Sequence, residues 1–126
     1  MELGRAPTAG ELGDVETVRE GWRALHEAHA LVLDPATDEI RMANPFSAVP
    51  TSYRVSADDR WWYANCAWDA LGIPSMIQAD AAIEARCPDC SEAIRIQVKG
   101  NVVSGNAEVV RFEVPPAHFW DNIIHT

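Results

Sequence analysis

A thiol and a carboxyl three residues apart stand in the most aromatic stretch of this chain. Cys66 and Asp69 lie within residues 60–72, RWWYANCAWDALG, which also holds three of the five tryptophans. On a helix, positions i and i+3 share a face, so the spacing sets the two side chains together amid apolar neighbours. Such a setting raises a carboxyl's proton affinity and lets it act as an acid near neutral pH. The plainer alternative is a core cysteine beside an aspartate that only caps its helix or bridges to a neighbour. Cys87 and Cys90 form a second group, CPDC. C-x-x-C at a β-turn is half of a zinc knuckle, and a full site needs two more ligands. The downstream histidines, His118 and His125, are seven residues apart, which is not a zinc-pair spacing. A redox C-x-x-C usually opens a helix, whereas this one sits between strands. The expected role of Cys87 and Cys90 is therefore a tight hairpin with reduced thiols, with zinc as the less favoured metal reading.

The elements that must position these groups follow from pattern. Asp58-Asp59 can cap a helix over 60–72, and Gly72 with Pro74 just beyond suits its exit. Trp62 and Tyr63 then fall one turn before Cys66 on the same side. Beyond the helix, Ile73, Met76 and Ile77 surround Pro74 and either wall a pocket facing Cys66 or pack as plain core. Trp62, Tyr63, Ile73 and Met76 are the candidate substrate contacts. Before this stretch, Thr8 and Glu11 have capping-box spacing for a short helix. Asp14 caps a longer one over 15–28, with Val15, Val18, Trp22, Leu25 and His29 as its apolar stripe. Residues 30–33 and 39–42 flank a turn-rich DPATD segment and read as a β-hairpin. Residues 44–51, NPFSAVPT, read as a linker or ordered loop, and 52–56 as a short strand. Residues 81–86 and 93–98 alternate around CPDC, Lys99-Gly100-Asn101 turns the chain, and 107–114 alternates as a further strand. Residues 118–126 follow a Pro-Pro break as a short helix or strand.

The totals bound the answer. A chain of 126 residues with 48% hydrophobic content can bury a core. It has no apolar run of membrane-spanning length and no secretory signal pattern, so a soluble cytoplasmic protein is expected. The net charge of −9 and pI near 4.7 provide no basic footprint for nucleic acid. Three cysteines, an odd number, argue for free thiols or metal ligands over a closed disulfide framework.

The segment WYANCAWDALGIPSMI, followed by AAIEARCPDC, resembles the catalytic core of the alkylmercury lyase (organomercurial lyase) family. HALVLDPATDEIRMANPFSAVPTSYRV resembles the segment leading into that core. The match runs from about residue 29 to 90, with a weaker continuation to 125. It implies an α+β fold, with a truncated winged-helix-like N-terminal module and linker (1–51). This would pack on a mixed or antiparallel sheet core (52–126) with a central Cys-x-x-Asp helix. The winged-helix order also suggests DNA binding through Arg19 and Arg23. However, Glu16, Glu20 and Glu27 accompany them, and the resemblance implies a structural cover instead.

The activity implied is protonolysis of a carbon–mercury bond, R–Hg⁺ to RH and Hg²⁺. Cys66 would be the thiolate that holds mercury and Asp69 the proton carrier. No organic cofactor is implied, and small thiols would carry the product away. The family's partner cysteine would lie past residue 126, so the resemblance implies a shortened chain or a variant lacking that thiol. Cys87 matches a cysteine of structural role, and Cys90 is a further candidate ligand. The alternative function is a non-catalytic module that binds a soft metal or thiol-reactive ligand, or a degenerate family member with a regulatory role.

Overall fold

The computed structural model describes residues 2–105 and 109–124. Its elements are β1 (Glu2–Leu3), α1 (Ala9–Leu12), α2 (Val15–Glu27), β2 (Val32–Leu33), β3 (Ile40–Ala43), β4 (Phe46–Ser47), β5 (Arg54–Ala57), β6 (Arg60–Ala64), α3 (Ala67–Ile77), β7 (Ala81–Arg86), β8 (Ala93–Lys99), β9 (Val102–Ser104) and a 3₁₀ turn over Pro116–Asp121. The nine strands form one sheet in the order β2-β3-β4-β6-β5-β7-β8-β9, with β1 beside β6. All pairings are antiparallel except β1 on β6.

The N-terminal elements form as their sequence dictates. Glu11 Oε2 accepts the Thr8 N–H at 2.8 Å and its hydroxyl at 3.0 Å. Asp14 caps α2 by accepting the Thr17 N–H at 3.0 Å. The buried face of α2 is narrower than its apolar stripe. Trp22 is buried with Ala9, Leu31 and Leu33, and Val18 packs against them. Val15 and Leu25 stay exposed, and His29, past the helix end with φ 60°, stacks on Trp120 at 4.0 Å. Arg19 pairs with Glu39 at 2.8 Å, and Arg23 pairs with Asp38 and Glu16 at 2.6 and 3.2 Å. Both arginines of α2 are thus matched by carboxylates.

The helix expected over 60–72 is the largest correction. Residues 60–64 are strand β6, and the helix starts only after Cys66. Asp58-Asp59 is the turn of a β5–β6 hairpin rather than a cap, with Asp58 at φ 50°, a conformation aspartate tolerates. Aromatic side chains suit a pleated surface, and the register Val55↔Trp62 and Ser56↔Trp61 satisfies the backbone. Successive strand residues point to opposite faces, so Trp62 and Tyr63 do not share a side. Trp62 packs on the core with Ala64, while Tyr63 meets Trp61 edge-on at 5.0 Å on the other face. Arg54 lies 4.3 Å over the Trp61 ring there. The helix also runs through Gly72 and Pro74 and ends at Gln78 in the left-handed region. Pro74 forgoes one helical hydrogen bond, but it and Ile73 are fully buried against the sheet, and that burial holds the last turn.

Two smaller corrections concern strands. Residues 44–51 contain β4, which joins β3 to β6 and so makes the sheet continuous. The expected strand over 107–114 is not formed at 109–114, while 107 and 108 lie outside the described residues. The strand that pairs with β8 is β9, reached through a tight turn at Gly100 and Asn101 with φ 53° and 64°. The expected β2–β3 and β7–β8 hairpins are present, and residues 116–121 form the 3₁₀ turn.

The main core lies between α3 and strands β5 to β8. Val55, Ala57, Ala64, Ala70, Ile73, Ala81, Ile83 and Val98 are buried together. Where the chain leaves β1 beside β6, Gly4 N–H donates to Trp61 O at 2.7 Å. A Cβ at Gly4 would collide with the Trp62 indole, so glycine is required for that close approach. Ile73 is the largest of the fully buried side chains. Ile73→Ala is expected to cost about 2–5 kcal/mol of stability in denaturant unfolding. A loss under about 1 kcal/mol would show that α3 is not packed as described.

Candidate functional site

Cys66 is not inside the helix but caps it. Its backbone is extended, at φ −147° and ψ −178°, and its sulfur accepts the Asp69 N–H at 3.5 Å. Its carbonyl accepts the Ala70 N–H at 3.0 Å. This is the N-cap arrangement with sulfur in place of a hydroxyl oxygen. Asp69 is the third helical residue, and its Oδ2 lies 3.4 Å from Cys66 Sγ. The two side chains that the spacing argument sets together are in contact, by a different geometry. A cap and its third residue meet as closely as i and i+3 on a helix face.

Asn65 completes the group. Its side chain hydrogen-bonds to Asp69 and donates to Asn44 Oδ1 at 2.9 Å. Its backbone N–H reaches Pro45 O at 3.3 Å. The Asn44-Pro45 turn between β3 and β4 thus holds the residue that precedes the cap. Sequence reading missed Asn65 because a helix over 60–72 would have spent its backbone in the helical ladder.

Burial sets the protonation of the pair. Cys66 and Asp69 are both half-buried. Burial pushes the Asp69 carboxyl up, against hydrogen bonds from Cys66 and Asn65 that favour the anion. Burial likewise pushes the Cys66 thiol up, although the Asp69 and Trp68 amides favour its thiolate. The Asp69 charge adds to the upward shift. In both groups desolvation outweighs the hydrogen bonds that favour the anion. Tyr53, also missed from sequence, has its phenol pushed up by burial and then by the charges of Cys66 and Cys87. It therefore stands within electrostatic reach of both.

The remaining candidates are dispersed. Trp62 is half-buried beside Phe46, with ring centroids 6.0 Å apart. Tyr63 lies on the face of β6 away from α3. Ile73 is in the core, and Met76 is 60% exposed near the end of α3. Two surface hollows, one lined by Asp58, Arg60 and Trp62 and the other by Asp80, Gln97 and Lys99, lie at the opposite end of β6 from Cys66. The pair Cys66–Asp69 thus stands at a surface-accessible helix start and not in either hollow. Cys87 and Cys90 sit on the β7–β8 turn, and all three cysteines are reduced. His118 pairs with Asp121 at 3.0 Å, and His125 lies outside the described residues. No helix among the described residues is long and apolar enough to cross a membrane.

The sequence matches the family model for alkylmercury lyase over residues 46–126. That is more than half of the chain, and the chain belongs to the alkylmercury lyase family. The matched region begins later than the resemblance at about residue 29, so the β2–β3 hairpin and α2 lie outside it. No curated protein matches the sequence. The fold is shared with the crystal structure of the mercury-bound form of MerB2, with a TM-score of 0.61, 21% identity and 79% of this chain covered. The chain spans about half the length of that structure, 50%.

The upward shift at Cys66 has a testable sign. Removing the Asp69 charge removes one of its causes. Labelling of Cys66 by iodoacetamide, followed by peptide mass spectrometry, is expected to rise at a higher pH than for an ordinary thiol. Asp69→Asn is expected to move that rise to lower pH. An unchanged profile would mean that Asp69 does not act on the thiol.

Proposed function

We propose that this chain is a carbon–mercury lyase in which Cys66 binds the mercury of an organomercurial and Asp69 protonates the departing carbon. The observation that carries this reading is the 3.4 Å contact between Cys66 Sγ and Asp69 Oδ2 in a chain of the alkylmercury lyase family. Mercury is soft and selects sulfur, by the same preference that guides other thiophilic metals. The Cys66 sulfur displaces X⁻ from R–Hg–X as its proton passes to the Asp69 carboxylate, giving Cys66–S–Hg–R, a protonated Asp69 and free X⁻. A small thiolate adds a second sulfur to mercury and weakens the bond to carbon. The Asp69 carboxyl then delivers its proton to that carbon. RH leaves, Asp69 is left as the carboxylate, and Hg²⁺ stays on the sulfurs.

The environment supports the division of labour. A half-buried carboxyl with raised proton affinity keeps the proton to be delivered. A thiol with raised pKa is a poor free thiolate, but loss of its proton to an adjacent carboxylate as mercury binds removes that barrier. Asn65 and the amide of Asp69 hold the two groups in register. Of the expected substrate contacts, Trp62 and Met76 retain exposed surface and are proposed as such, whereas Ile73 is fully buried and Tyr63 lies on the other face of β6. Residues 1–51 are read as a cover on the 52–126 core. The pairing of β4 and β1 with β6 joins the two parts and supports this reading. The second reading is capture of a soft ligand at Cys66 without cleavage. The position of both hollows at the far end of β6 from Cys66 favours it.

Phenylmercuric acetate with excess small thiol separates the two. The chain is expected to release benzene, and Asp69→Asn to slow that release by about a hundredfold or more. Cys66→Ser is expected to abolish 1:1 capture of phenylmercury there. Release that is indifferent to Asp69 would refute the acid role, and capture without release would leave the binding module as the function.

A further inference from the structure

The turn between β7 and β8 holds two of the three cysteines and takes no part in the Cys66 contacts. Arg86 and Ala93 are the last paired residues of the ladder. Beyond them, Cys87 donates its N–H to Glu92 O and accepts the Ser91 N–H at its own carbonyl, both at 2.9 Å. Ser91 occupies the left-handed region at φ 60°. Pro88 fixes the first step after Cys87. The N–H groups of Asp89 and Cys90 and the Cys90 thiol itself are hydrogen-bonded to the Cys87 sulfur. The turn therefore folds both sulfurs against each other in the reduced state, with Cys90 open to water.

This arrangement selects among metals by ligand number. Among the described residues, no three His, Cys, Asp or Glu side chains converge on one point. The four-ligand tetrahedral shell of a structural zinc is thus not assembled. Two thiolates suffice for a soft ion that is satisfied by two sulfurs. They also neutralise a doubly charged ion, and Asp89 and Glu92 beside them favour a cation over an anion.

We infer that Cys87 and Cys90 chelate one mercuric ion at the tip of this hairpin, a site separate from Cys66. When Hg²⁺ arrives as a complex of two small thiolates, its two S–Hg bonds to them break. Two bonds to Cys87 and Cys90 form, and the protons of the protein thiols leave on the released small thiols. No oxidation state changes. The site does not depend on the proposed lyase reaction.

The test uses the full chain carrying Cys66→Ser, with and without Cys90→Ser. Each protein is equilibrated with Hg²⁺ and excess monothiol, desalted, and analysed for metal per chain and for sulfur neighbours by X-ray absorption. With Cys90 in place, one mercury per chain with two sulfur neighbours is expected. Without it, retention is expected to fall at least roughly tenfold, because the second sulfur no longer acts at high effective concentration. Cys90 is exposed in a surface turn, so its replacement leaves the core untouched. Cys66→Ala provides the same background should the serine variant not fold. Equal retention in both proteins, half an ion per chain bridging a dimer, or zinc retained in place of mercury would overturn the inference.

Discussion

The structure depends on how α3 begins. Four consecutive amides at a helix start lack partners within the helix, and here a sulfur meets two of them. Cys66 takes the Asp69 N–H, and the Trp68 N–H also favours its thiolate. The cap fixes the first turn, the first turn places the Asp69 carboxyl on the same sulfur, and the rest of α3 buries Ala70, Ile73 and Pro74 against the sheet. A serine cap would serve the helix equally well. The thiol is what gives the cap a chemistry, because sulfur can bind a soft metal while still facing an acid.

The sheet supplies the rigidity behind that cap. β6 leads directly into Cys66, and it is paired on one side by β5 and on the other by β4 and β1. The Asn44-Pro45 turn that opens β4 also touches Asn65. The residue before the cap is therefore held by covalent continuity with a central strand and by hydrogen bonds from a neighbouring turn. Side chains on such supported elements keep their separation better than side chains on free loops. The N-terminal helices contribute at one remove, since the Trp22 cluster packs on Leu31 and Leu33 around the β2–β3 hairpin.

Much of this was legible in the sequence, and the failures have physical causes. Asp14, Thr8 and Glu11 behaved as capping residues because caps are local. The β7–β8 hairpin followed from alternation around CPDC. Residues 60–64 depart from the helix expectation because Asp58-Asp59 suits a helix cap and a hairpin turn equally. Only the partner strand β5, which is non-local information, decides between them. The pairing of Cys66 with Asp69 survived this error since both geometries bring residues three apart into contact. Gly72 and Pro74 suit a helix exit, yet burial of Ile73 and Pro74 carries the helix past them. Asn65 and Tyr53 left no sequence signal, because their roles come from what the sheet places beside them.

The central claim is that burial makes Asp69 a proton holder beside a capping thiol. The most direct measurement is the titration of the Asp69 carboxyl by ¹³C NMR in the intact chain and in Cys66→Ala. The account predicts a pKa above the ordinary aspartate range, and a further rise when the Cys66 hydrogen bond, which favours the anion, is removed. A carboxyl that titrates in or below the ordinary range, indifferent to Cys66, would contradict it.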